Sequence, residues 1–113
     1  MHLVEKKLGK VWVLSVKGKL VSPTETNKLN EKINQLVDND ASQIVLDLKQ
    51  VSWLASLGIG AIMRNLLKIR KTGGDLRLTG LSEKVKSLFS ITKLIGVIQI
   101  YDSVNEAVES FSE

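Results

Sequence analysis

Ser56 is the residue best placed to do chemistry in this sequence. It stands between an apolar run, Ile44-Val45-Leu46-Asp47-Leu48, and a segment of helical spacing that opens Leu57-Gly58-Ile59-Gly60-Ala61-Ile62. A hydroxyl at a strand-to-helix junction lies over the unpaired N–H groups of the helix's first turn. It is a candidate N-cap, and any functional surface of the chain is expected around it. Asp47 is the second polar group of interest. It could act as a buried acid, but a carboxylate at a strand end more commonly accepts backbone amides of the next loop.

No other constellation assembles. His2 is the single histidine and cysteine is absent, which leaves neither a nucleophile–base pair nor a His/Cys metal site. Gly58-x-Gly60 lacks the rest of a dinucleotide fingerprint. An enzyme is therefore the weakest class, and no cofactor is expected. Trp12 and Trp53 read as core or half-buried aromatics.

The elements that must position Ser56 follow from periodicity. Leu3-Val4-Glu5-Lys6 and Val11-Trp12-Val13-Leu14-Ser15-Val16 predict two strands joined around Gly9, the second ending at Gly18. Ser22-Pro23-Thr24-Glu25 is a capping box with Pro at the first helical position, and Leu29, Ile33, Leu36 and Val37 form one apolar stripe behind it. Asp38-Asn39-Asp40 stops that helix. After the central strand, Val51-Ser52-Trp53-Leu54 forms a connection, and Ser56 is the N-cap candidate of the next helix. Ala61, Ile62, Leu66 and Ile69 line its core side with Gly58 and Asn65, while Leu57, Met63 and Leu67 lie off that stripe and await a partner or deep burial. Gly73-Gly74 ends the helix. Asp75-Leu76-Arg77-Leu78-Thr79 predicts a strand, Ser82 caps a helix carrying Val85, Leu88 and Phe89, and Val97-Ile98-Gln99-Ile100-Tyr101 predicts the last strand. Ser103 and Glu106 form a second capping box for a closing helix with Val104, Ala107, Val108 and Phe111. The order is ββαβαβαβα: an α/β fold with a mixed sheet of about five strands, parallel βαβ crossovers and about four helices.

At 113 residues, the chain predicts one domain spanning 1–113. It has no signal-peptide core and no apolar run near the ~20 residues needed to span a bilayer, so a cytoplasmic protein without membrane insertion is expected. The net charge of +4 comes from dispersed bases. The densest group, Lys68-Ile69-Arg70-Lys71, lacks interleaved aromatics and reads as a solvated helix end, which argues against direct nucleic-acid binding.

These residues together resemble the STAS domain of bacterial anti-sigma factor antagonists. The resemblance covers nearly the whole chain. It rests on the element order, Gly18-Lys19-Leu20, Leu46-Asp47-Leu48, Val51-Ser52-Trp53, Ser56-x-Gly58-Ile59-Gly60, Lys71-x-Gly73-Gly74 and Val85-x-x-Leu88-Phe89. It implies that Ser56 matches a serine phosphorylated by the kinase activity of a cognate anti-sigma factor. Members typically carry Asp before that serine and a second Ser after it, where this chain has Ala55 and Leu57. A further Asp before the first helix corresponds to Val21.

The function implied is partner switching in bacterial transcription regulation. A non-enzymatic, monomeric or weakly dimeric module would bind an anti-sigma factor with serine kinase activity, freeing a sigma factor until Ser56 is phosphorylated. The partner surface expected comprises Ser22, Thr24, Ala55, Ser56, Leu57, Gly58, Ile59, Met63 and Leu67. The alternative within the same fold is an accessory subunit of a membrane lipid-transport (ABC) complex, or of another signalling assembly, without phosphorylation. Against both stands the plain reading in which Ser56 only caps its helix, worth about 1 kcal/mol.

Overall fold

Side chains on opposite sides of the same strands are buried, and this dictates the layers. In Val11–Leu20 (β2) and Gln43–Leu54 (β3), Leu14, Val16, Ile44 and Leu46 enter one apolar cluster while Val11, Val13 and Val45 enter another. Strands apolar on both faces need cover on both. The computed structural model describes residues 1–91 and 96–112. With His2–Leu8 (β1), Asp75–Thr79 (β4) and Ile100–Tyr101 (β5), the strands form one sheet in the order β1-β2-β3-β4-β5. β1 pairs antiparallel with β2, and the remaining pairs are parallel.

Parallel neighbours need long crossovers, here the helices Pro23–Asp38 (α1), Ser56–Lys71 (α2) and Glu83–Ile91 (α3). All three share one face of the sheet, where Leu29, Ile33, Leu66, Ile69 and Phe89 are fully buried. Val104–Ser110 (α4) covers the other face through Ala107, with Val104, Val108 and Phe111 packed beside it. Arg77 anchors α4: Nη1 donates to Ser110 Oγ at 2.6 Å, Nε to Asp75 Oδ2 at 3.2 Å, and the guanidinium lies 4.0 Å from the Phe111 ring centroid.

Start and stop signals act largely as the sequence predicts. Ser22 caps α1 in a complete capping box, Ser82 Oγ accepts the Val85 N–H at 3.2 Å, and Ser103 Oγ accepts the Glu106 N–H at 3.1 Å. The reciprocal Glu106 bond expected of a second box is not made among the described residues. Gly73, at φ +88°, lets Gly74 N–H reach back to the Ile69 carbonyl, closing α2 with the predicted glycines.

Three boundaries differ from expectation. β2 runs past Gly18 to Leu20, because Gly18 at φ +108° absorbs an irregularity in the pairing with β3. The segment expected to be a connection, Val51 to Leu54, is the end of β3, since this prolonged β2 gives its backbone a partner. The last strand is only Ile100–Tyr101, although Gln99 still accepts the Leu78 N–H at 2.9 Å. An edge strand has one neighbour to hold it, and residues 96–98 form a turn and bend.

The parallel strands all end at one edge of the sheet. The loops at 21–22, 55, 80–82 and 102–103 therefore gather there, as do the N-termini of the helices that follow.

Candidate functional site

β2 and β3 stay paired to their last residues, Leu20 opposite Leu54. The turns into α1 and α2 are thus neighbours, and the Ala55 N–H donates to the Leu20 carbonyl at 3.3 Å. That bond fixes where α2 begins. Ala55, extended at φ −96° and ψ 172°, is the N-cap, and Ser56 is the first helical residue. The expectation that Ser56 caps α2 is therefore corrected. A cap must be extended to turn its oxygen over the first amides, and Leu20 holds the residue before Ser56 in that conformation. α2 starts with no side-chain cap at all. Ser56 is exposed, and its hydroxyl has no hydrogen-bond partner among the described residues.

The neighbouring helix start contrasts with this. Ser22 Oγ accepts the Glu25 N–H at 3.4 Å, while Glu25 Oε1 accepts the N–H groups of Val21 at 2.8 Å and Ser22 at 3.0 Å. Those two backbone bonds, Val21 first, hold the Glu25 carboxyl below its ordinary value of 4.5. The Ser22 hydroxyl is thus engaged, whereas the Ser56 hydroxyl is free.

Gly58 sets how closely α2 seats on β2. A Cβ there would stand 2.3 Å from the Leu20 carbonyl oxygen and 2.8 Å from Leu54 Cδ1. No side chain larger than hydrogen fits without moving backbone. Two residues on, a Cβ at Gly60 would meet only Arg64 Nη1, at 3.4 Å.

The residues singled out from sequence take different places. Ser56, Leu57, Leu67 and Thr24 are exposed; Ala55, Met63 and Ser22 are partly buried. Gly58 and Ile59 are buried and shape the surface from beneath without presenting a side chain to it. The core stripe of α2 is as expected: Ala61, Ile62, Asn65, Leu66 and Ile69 are buried, with Asn65 Nδ2 donating to the Ala61 carbonyl and to Asn30 Oδ1 on α1. Asp47 lies within β3 and not at its end, because that strand runs on to Leu54; its Oδ1 accepts an amide of the same strand, the Lys49 N–H at 3.0 Å, and Oδ2 accepts the Ser15 hydroxyl at 3.4 Å. Trp53 is half-buried, with Lys84 Nζ 4.4 Å from its ring centroid. Sequence reading passed over Arg64 and took Lys68 and Lys71 for a solvated helix end; all three share the exposed side of α2 with Leu57 and Leu67. The signal was present: no Asp or Glu occurs between Asp47 and Asp75.

The class is set by the fold: a mixed sheet whose middle strand hands an exposed serine to a helix start. The chain belongs to the STAS domain family, whose model matches residues 3–107. It is 38% identical over 72 residues to an anti-sigma-B factor antagonist of Bacillus subtilis, covering 64% of this chain and 65% of that one. A Thermotoga maritima protein described as a candidate anti-sigma factor antagonist is 32% identical over 76 residues, 67% of each chain. A crystal structure bearing the same description, also from Thermotoga maritima, superimposes with a TM-score of 0.89 at 25% identity, over 98% of this chain and 95% of the other. An anti-sigma factor antagonist from Mycobacterium paratuberculosis shares the fold, with a TM-score of 0.88 at 19% identity over 99% and 94% of the two chains. No described helix is long and apolar enough to cross a membrane.

Proposed function

We propose that this chain is an anti-sigma factor antagonist, a non-enzymatic module that binds an anti-sigma factor with serine kinase activity. The docking surface is the exposed start of α2, Ser56 and Leu57, continued by Met63 and Leu67 and flanked by Ala55, Ser22 and Thr24. Gly58 and Ile59 support it from below. Phosphorylation of Ser56 releases the partner. The observation that carries this reading is the state of Ser56: it is exposed, unbonded among the described residues and not needed as a cap. The names of the relatives point the same way.

The chemistry supports a switch that leaves the fold in place. A phosphoryl group at the first helical residue lies near amides of the first turn that have no intrahelical acceptor, and the helix dipole favours its charge. It adds about two negative charges to a surface holding Leu57. Desolvating that charge against a partner costs several kcal/mol, and about 1.4 kcal/mol is already tenfold in affinity.

The test is capture on immobilised protein from its native cells, with Ser56→Ala and Ser56→Asp baits beside the wild type and intact mass measured on the native protein. An ATP-binding anti-sigma factor on the wild-type and Ser56→Ala baits, lost on Ser56→Asp, is expected, with a mass shift of one phosphate mapping to Ser56. Recovery of an ABC-transporter subunit instead would replace this reading with the transport-complex alternative. Undiminished binding by Ser56→Asp would remove the switch.

A further inference from the structure

We infer that the partner surface that docks on α2 is acidic, and that the basic flank of this helix, above all Arg64 and Lys71, steers and holds it. The inference rests on the docking reading above and specifies the chemistry of the partner. α2 carries Arg64, Lys68, Arg70 and Lys71 and no acidic residue. Two of these charges have internal uses: Arg70 Nε is bonded to Asp75 Oδ1 at 2.9 Å, and Lys68 Nζ donates to Asn34 on α1, a neutral partner. Arg64 and Lys71 have no acceptor among the described residues.

Helical spacing sets these cations on the exposed side of α2 together with Leu57, 41% exposed, and Leu67, 54% exposed. Gly60 lies between them, and the space a Cβ would take there is bordered only by the Arg64 guanidinium. The face therefore combines apolar knobs, a low point in the helix surface and unneutralised positive charge. Helix α1 alongside does not repeat this pattern, since Glu25, Glu31 and Asp38 interrupt its lysines.

A protein occupant fits this combination better than a polyanion or a lipid surface does. Leucines interleaved with cations gain from a partner that desolvates them against apolar side chains while placing carboxylates opposite Arg64 and Lys71. A nucleic acid offers phosphates but little to cover Leu57 and Leu67, and the face has no aromatic on which a base could stack. A phosphoryl group on Ser56 would lie at the end of this same stripe. It would then compete with the partner's carboxylates for the cations as well as obstruct the apolar contact.

The experiment uses the full chain and the purified anti-sigma factor recovered as above, and measures affinity and association rate at 50 and 500 mM salt. Arg64→Glu/Lys71→Glu is compared with Lys6→Glu/Lys10→Glu, which makes the same change in net charge on β1 and its turn, away from α2. Leu57→Ala serves as the test of location, and unchanged circular dichroism and melting serve as the test of folding. The Arg64/Lys71 double variant is expected to lose about 100-fold in affinity at low salt, mostly through slower association, with the loss shrinking at high salt. The Lys6/Lys10 variant should stay within about threefold of wild type, because charges that far from the contact are screened. Equal effects of the two double variants overturn the inference. If Leu57→Ala weakens binding while Arg64→Glu/Lys71→Glu does not, the inference fails and the docking reading stands. If neither weakens it, or no anti-sigma factor is recovered, both fail. Binding of wild type to duplex DNA or to anionic phosphatidylserine vesicles at 150 mM salt, abolished by the Arg64/Lys71 change, would assign the stripe to a different class of partner and overturn the inference.

Discussion

Gly58→Ala tests the geometry that sets α2 against the end of β2. The added methyl would stand 2.3 Å from the Leu20 carbonyl oxygen and 2.8 Å from Leu54 Cδ1, where non-bonded heavy atoms rest at about 3.5–4.0 Å. Leu54 Cδ1 is a side-chain end and can rotate, but Leu20 is backbone. Its oxygen also accepts the Ala55 N–H, at 3.3 Å, and that bond fixes the start of the helix. Overpacking of this kind costs about 1–3 kcal/mol, and losing the bond adds about 1 kcal/mol. Replacing Gly by Ala in a helix returns up to about 1 kcal/mol. The net loss is about 1–3 kcal/mol, a fall in Tm of about 4–12 °C for a domain of this size. Gly60→Ala is the internal control, because its methyl meets only the mobile end of Arg64, at 3.4 Å. That variant should gain about 0.5–1 kcal/mol from helix propensity alone. Calorimetric melting and urea unfolding of the two variants give the comparison. A Gly58→Ala protein as stable as wild type, or a Gly60→Ala protein destabilised to the same degree, would refute the close approach of α2 to Leu20.

Two further outcomes are expected. Ser22→Ala should cost about 1 kcal/mol, since it removes a working cap, whereas Ser56→Ala should change stability by less than about 0.5 kcal/mol, since no bond is lost; urea midpoints of the two variants check this, and a comparable loss at both positions would return Ser56 to a structural role. Glu25 titrates below its ordinary value of 4.5 because it accepts the Val21 and Ser22 amides, so its contribution is present above that pH and is lost as pH falls through the lowered value. The stability difference between wild type and Glu25→Gln should therefore be constant from pH 7 to about 5 and shrink on further acidification; a difference that grows toward low pH would contradict the capping box.

Much of this fold could be read from local chemistry. Ser22, Pro23 and Glu25 mark a helix start on their own, and the stripes of α1 and α2 name their buried faces, because a helix declares its inside by spacing alone. The misjudged boundaries lie where a distant strand decides. Val51 to Leu54 is a strand because β2 continues beside it, and β2 continues because Gly18 takes a positive φ. Neither fact is local to the residues concerned. The same applies to Ser56. Its neighbourhood reads as a cap, and only the Leu20 carbonyl, far away in sequence, moves the cap to Ala55. The basic stripe was missed for a different reason. Lys68, Arg70 and Lys71 were judged as a cluster at a helix end, while Arg64 and the acid-free interval from Asp47 to Asp75 belong to a whole face.

The single-residue offset at the start of α2 bears directly on how a switch could work here. Were Ser56 the cap, modifying it would disturb the bond that begins the helix, and the switch would be tied to local stability. With Ala55 in that place, the first-turn amides are held by no side chain, and Ser56 contributes nothing that phosphorylation would break. The family resemblance places an Asp where Ala55 stands. A carboxylate at an N-cap would occupy those amides and repel an incoming phosphoryl group, whereas a methyl does neither. The departures at Ala55 and Leu57 thus alter two separate properties. Ala55 leaves the electrostatics of the helix end open to a phosphate, and Leu57 makes the unmodified surface more apolar. On the proposed reading, a partner bound to that surface would lose apolar contact and gain a charge to desolvate on phosphorylation, and the two substitutions would sharpen the contrast between unmodified and phosphorylated Ser56.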